Sequence, residues 1–127
     1  MSKAILDTSV LIADDVAPLE GELGISVVSL AELHVGVLVT TEAAIRAERL
    51  RRLSQLQRTF DPLPVDNDVS VSYGQLAAAV VHAGRQPRAR VMDLLIAATA
   101  HAHGARLYTR NAKDLIGIEH LVDIVAV

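Results

Sequence analysis

Acidic side chains placed just beyond short apolar runs are the residues of this 127-residue sequence best suited to chemistry. Asp7 follows Ala4-Ile5-Leu6, and Glu32 lies shortly after Ile25–Val28. Asp93 interrupts the apolar stretch Val91–Ala98, and Asn111 and Asp114 follow Arg106–Thr109. Each has a plain structural alternative. Asp7 suits an N-cap, Glu32 completes a Ser29-Leu30-Ala31-Glu32 capping box, and Asn111 or Asp114 can cap a short turn. Asp114 can also pair with Arg110. Asp93 is harder to dismiss: helical spacing puts it on one face with Ile96, Ala97 and Ala100, and an unpaired buried carboxylate is costly.

The acids mean more together. A parallel sheet gathers its strand-to-helix junctions on one edge, beyond the carboxyl ends of the strands, where ligands of such sheets bind. Carboxylates brought together there repel, and the cluster needs a counter-cation. With no Cys in the chain and no His among the acids, the all-oxygen donor set favours a hard ion, Mg²⁺ or Mn²⁺. Such an ion binds phosphate oxygens and acidifies bound water, the requirements for in-line attack on a phosphodiester. Basic residues nearby, Arg88, Arg90, Arg110 and Lys113, are suited to positioning phosphates.

The elements that must deliver these residues follow from pattern. Ala4–Leu6 reads as a buried parallel strand and Thr8–Asp14 as a helix with Val10 and Leu11 inward. Pro18 and Gly21 mark a loop, and Ile25–Val28 is a second strand. Helices are expected over Ser29–Val39 and Glu42–Phe60, the latter with apolar residues at Ala43, Ala47, Leu50, Leu53, Leu56 and Phe60. Leu63–Val65 is a short strand candidate between prolines. A helix capped by Asp66-Asn67-Asp68 runs to Ala83 and closes at Gly84. After a polar loop, Gln86–Arg90, come an apolar helix, Val91–His103, and a strand, Arg106–Thr109. A helical turn, Asn111–Ile116, and a last strand, Leu121–Val127, complete the chain. Strands alternating with helices predict an α/β fold, a central and mostly parallel sheet flanked by helices, in a single domain spanning 1–127.

Composition narrows the function classes. The formal net charge is −3, which argues against a general nucleic-acid coat protein. Charge is segregated, however: seven acids and no Lys or Arg lie between Ala4 and Ile45, whereas Arg85–Lys113 carries six basic residues against Asp93. Arg46, Arg49, Arg51, Arg52 and Arg58 fit a solvated helix face. Only Phe60, Tyr73 and Tyr108 are aromatic, too few for a base-stacking platform. The charged N-terminal run is no signal peptide and no stretch approaches a membrane span, so a soluble, cytoplasmic protein is expected.

Four segments resemble the ordered motifs of PIN-domain proteins, in particular the VapC-type toxins of bacterial toxin–antitoxin modules. They are Leu6–Ile12, Ser26–Leu33 with Gly36, Asp93–Ala100 with His103-Gly104, and Thr109–Leu115. The resemblance implies a divalent-metal-dependent endoribonuclease, inhibited by a cognate VapB-type antitoxin and forming a homodimer. Carried over by position, Asp7, Glu32 and Asp93 are the core metal-site acids, and Thr8, Ser9 and Thr109 hydrogen-bond the site or the RNA substrate. The fourth place falls to Asp114, with Asn111 assisting. A PIN-like adaptor with weak or lost catalysis is the alternative, but such proteins lose one of the acids and this chain keeps all three. A haloacid-dehalogenase-type phosphatase needs a second Asp where Ser9 stands. A receiver domain needs its acidic pair after a strand, whereas Asp14-Asp15 lie past a helix.

Overall fold

The computed structural model describes residues 2–127. Four strands form one sheet: β1 (Lys3–Leu6), β2 (Glu22–Gly24), β3 (Arg106–Thr109) and β4 (Ile124–Ala126). Their order is β2-β1-β3-β4 and every pairing is parallel. Ala4, Ile5 and Leu6 pair with Arg106, Leu107 and Tyr108, which brings Asp7 level with the end of β3. Five helices flank the sheet: α1 (Thr8–Leu11), α2 (Val27–Val39), α3 (Ala43–Thr59), α4 (Asn67–His82) and α5 (Val91–Ala102). Short 3-10 turns occupy Pro87–Arg90 and Ala112–Leu115.

Side-chain alternation along the strands divides the core in two. Ile5 and Leu107 face α4 and α5 and pack with Leu76, Leu94, Ile96, Ile118 and Val122. Ala4, Leu6 and Tyr108 face the other way, joining Val10, Leu11, Ile25, Leu30 and Leu53. The α5 helix is buried nearly all round because Ala97, Ala98 and Ala100 let neighbours approach its backbone, and it stops where Gly104 adopts φ 61°.

The sheet is wholly parallel where the alternating pattern predicts a mostly parallel one, and its second strand lies earlier than expected. Ile25–Val28 is not a strand. The β2 strand is Glu22–Gly24, a short edge segment held to β1 by backbone bonds, and α2 already begins at Val27. Its cap is Ser26, whose Oγ accepts from the Val28 N–H at 3.0 Å. The first helix is also shorter, ending at Leu11 rather than Asp14. Leu63–Val65 contributes only an isolated parallel bridge, Leu63 to Ser26. The last strand is confined to Ile124–Ala126. In α3 the helix is as expected, but of its apolar stripe only Leu53 is buried, Leu56 and Phe60 are half-buried, and Ala43, Ala47 and Leu50 face solvent.

Candidate active site

The order β2-β1-β3-β4 makes the chain leave β1 toward one side and later return on the other. The gap beyond the carboxyl ends of β1 and β3 is therefore a topological switch point, the place where open α/β sheets bind ligands. Asp7 stands there, buried to 7% exposure. It occupies the N-cap position of α1, yet its side chain makes no capping bond. Instead Oδ2 accepts from Thr109 Oγ1 at 2.6 Å and from Ser9 Oγ at 3.0 Å. Two hydroxyls, one from each end of the chain, thus fix the carboxylate and leave Oδ1 to point elsewhere. The same hydroxyls lock the loop after β3: the Arg110 N–H donates to Ser9 Oγ at 3.0 Å and the Asn111 N–H to Thr109 Oγ1 at 3.0 Å.

Glu32 loses its plain explanation. With α2 starting at Val27, the residue sits in the second turn, beyond reach of any capping box. Thr8 Oγ1 donates to its Oε1 at 2.7 Å and lies 2.8 Å from Ser29 Oγ, so α1 and α2 are tied together at the site. Ser29 is fully buried, and the sequence pattern alone assigns it to a helix cap rather than to the site. Its spacing of three from Glu32, one helical turn, is the signal that could have found it.

Asp93 lies in the first turn of α5, half-buried, where free amides favour an acid. Burial, followed by the charges of Asp7, Glu32 and Asp114, holds its carboxyl above the usual range, and Arg90 acts in the opposite direction. Three acids from three other elements therefore act on Asp93. Asp114, in the 3-10 turn after β3, pairs with Arg90 at 3.1 Å. It does not pair with Arg110, whose guanidinium instead reaches Asp15 at 2.7 Å and holds that carboxyl below its usual range. Arg88 and Lys113 are exposed.

Among the described residues, no three His, Cys, Asp or Glu side chains are drawn into a closed metal cage. The donor chemistry nonetheless fits a hard cation: carboxylates and hydroxyls only, and an excess of negative charge that already raises Asp93.

Comparison with known proteins agrees with this arrangement. The PIN domain family model matches residues 4–116. The ribonuclease VapC5 of Mycobacterium tuberculosis is 37% identical over 113 residues, spanning 84% of this chain and 82% of the relative. Among solved structures, VapBC-5 of Mycobacterium tuberculosis, a member of the VapBC family of toxin–antitoxin systems, superposes with a TM-score of 0.85 at 33% identity. That match covers 100% of this chain and 98% of the other. FitAcB of Neisseria gonorrhoeae superposes with a TM-score of 0.74 at 25% identity, covering 95% of each chain. The chain belongs to the PIN-domain family, among its VapC-type ribonucleases.

Proposed function

We propose that this protein is a Mg²⁺-dependent endoribonuclease, the toxin of a type II toxin–antitoxin pair, acting through Asp7, Glu32, Asp93 and Asp114. The observation that carries the reading is the Asp7 carboxylate held by Thr109 and Ser9 at the switch point of the sheet, with Glu32 tied to the adjoining Thr8. Family membership implies metal-dependent catalysis, and the oxygen-only donor set favours Mg²⁺, with Mn²⁺ as a substitute. Asp7 and Asp93 are the principal ligands, with Glu32 and Asp114 completing the acidic pocket. When bound, the cation supplies charge to the phosphate oxygens and acidifies water.

The chain's own groups do the rest. Thr109 and Ser9 hold the Asp7 carboxylate in one orientation. Thr8 holds Glu32, which orients the attacking water and takes its proton. Arg88, Arg90, Arg110, Asn111 and Lys113 line the rim and position the RNA backbone. Asn111 contributes an amide, not a charge.

A cognate VapB-type antitoxin is the expected partner, alongside a second copy of the chain. Exposed apolar residues on α2 and α3, including Val35, Leu38, Ile45 and Leu50, support such interfaces. A groove of about 780 Å³ between these helices runs from Ile12 and Ile45 to Thr8 and Glu32, so a segment seated in it would reach Glu32. Residues 1–127 act as one domain in this reading, in the cytoplasm; among the described residues no helix is long and apolar enough to cross a membrane.

The test is RNA cleavage by the purified chain with Mg²⁺ and with chelator. Cleavage should need the metal, and Asp7→Asn and Asp93→Asn should each abolish it while circular dichroism stays unchanged. Undiminished, metal-dependent cleavage by both variants would overturn the assignment. Co-purification with the product of a small neighbouring reading frame tests the antitoxin.

A further inference from the structure

A second concavity opens beside the acid site, on the far side of Asp114. It has a volume of about 240 Å³ and shares Asp114 and Arg90 with the acidic cluster. Its floor is aliphatic, formed by Val80, Leu94 and Ile116, and its rim carries Arg85, Gln86 and Arg90. Ile116 is 46% exposed, an apolar side chain left open to solvent. An apolar floor with a few convergent polar groups is the usual form of a small-ligand site.

The walls are held in place. Gly117 adopts φ 111°, and a Cβ there would lie 3.3 Å from Ala83 Cβ and 3.7 Å from Val80 Cα. Only glycine lets the turn after Leu115 press this closely on the end of α4. On the other side, the Arg90–Asp114 pair joins the 3-10 turn before α5 to the turn after β3.

We propose that this pocket seats one unstacked guanine base of the RNA, adjoining the phosphate presented to the acids. The inference rests on the nuclease reading for its substrate. Asp114 and Arg90 line the pocket and also act on Asp93, so a group seated in the pocket lies next to one at the acids. The aliphatic floor suits the uncharged face of a base, and with no aromatic side chain in the lining, a guanidinium plane is the available stacking surface. The rim offers the Arg85 guanidinium and the Gln86 amide as donors, Arg90 being paired with Asp114. Guanine presents two acceptors, O6 and N7, on one edge, the arrangement that arginine reads best. Arg85 is the reader and Gln86 the adaptable second contact, while Arg90, paired with Asp114, keeps to the adjoining phosphate.

The test uses the full chain with Mg²⁺ on a randomised RNA pool, with the cut ends sequenced. Guanine should be enriched at one fixed position beside the cut, by at least about fivefold. Ile116→Trp, which fills the pocket, should bring that enrichment down toward the pool frequency. Cutting without guanine enrichment, or enrichment that survives Ile116→Trp, overturns the pocket assignment. Absence of any cutting by the unsubstituted chain overturns the nuclease reading instead. A titration without metal then decides the pocket alone: 5′-GMP should shift the backbone amide signals of Ala89 and Ile116 more than 5′-UMP does, and equal shifts overturn the assignment.

Discussion

Thr8 Oγ1 donates to Glu32 Oε1 at 2.7 Å, joining the residue after Asp7 to the second acid across α1 and α2. A hydroxyl that orients a functional carboxylate acts as an outer-shell group, and loss of such groups costs about 10–100-fold in metal affinity or activity. Thr8→Val should lower RNA cleavage by that factor, and Thr8→Ser should restore most of it. Thermal unfolding, followed in parallel, should move little. Full activity in Thr8→Val would show that Glu32 needs no such restraint.

Asp93 gives a pH dependence. Its carboxyl is raised by burial and by Asp7, Glu32 and Asp114, against an ordinary value of 3.8. The stability contributed by the protonated form is therefore fully present below the unfolded value and is lost as pH rises through the higher folded value. Without metal, ionised Asp93 destabilises the fold at neutral pH. Asp93→Asn should raise the metal-free Tm at pH 7, and it should remove the further rise in Tm that Mg²⁺ gives the unsubstituted chain. That Mg²⁺ effect should shrink as pH falls, because protons compete for the carboxylate. A Mg²⁺ effect of the same size in Asp93→Asn would place the cation elsewhere.

Arg90 opposes the acids and also faces the proposed RNA path. Arg90→Ala should therefore have opposite effects on two ligands. Mn²⁺ affinity, measured by calorimetry, should rise several-fold because a competing positive charge is gone. RNA affinity, measured with the inactive Asp7→Asn background, should fall, and its salt dependence should weaken by about 0.7 in slope if one phosphate contact is lost. Parallel losses for metal and RNA would contradict this role.

Ile45, in the α2–α3 groove, is 38% exposed. Ile45→Glu should leave the Tm of the free chain unchanged, as surface substitutions do. It should weaken the antitoxin complex by more than tenfold, about 1.4 kcal/mol. Unaltered antitoxin affinity would move the partner surface away from this groove.

The sheet and its carboxyl edge were legible because parallel strands write themselves as continuous apolar runs with a polar residue at the carboxyl end. Ala4–Leu6 with Asp7, and Arg106–Thr109 ahead of Asp114, are such runs. The β2 strand was not legible, since Glu22-Leu23-Gly24 has poor strand propensity and owes its conformation to backbone pairing with β1. The β-branched Ile25–Val28 imitated a strand, while its Ser26 was already capping α2. That displacement of one helix start changed the meaning of Ser29 and Glu32, from a capping pair to neighbours of Thr8. The exposed half of the α3 stripe misled for another reason. Periodicity reports that a face is apolar, not that the same chain covers it. Arg110 was legible as a basic residue of the rim, but its pairing with Asp15 depends on a loop that no pattern fixes.

The placement of β1 between β2 and β3 has a consequence for when the enzyme becomes active. Asp7 is synthesised 102 residues before Thr109, whose hydroxyl orients it, and well before β3, the strand paired with β1. Asp93 and Asp114 likewise come long after Asp7. Domains fold as units during synthesis, so a growing chain that has not yet reached β3 lacks the hydroxyl that fixes this carboxylate. The order of synthesis keeps Asp7 without its orienting partner until the middle of the sheet can close.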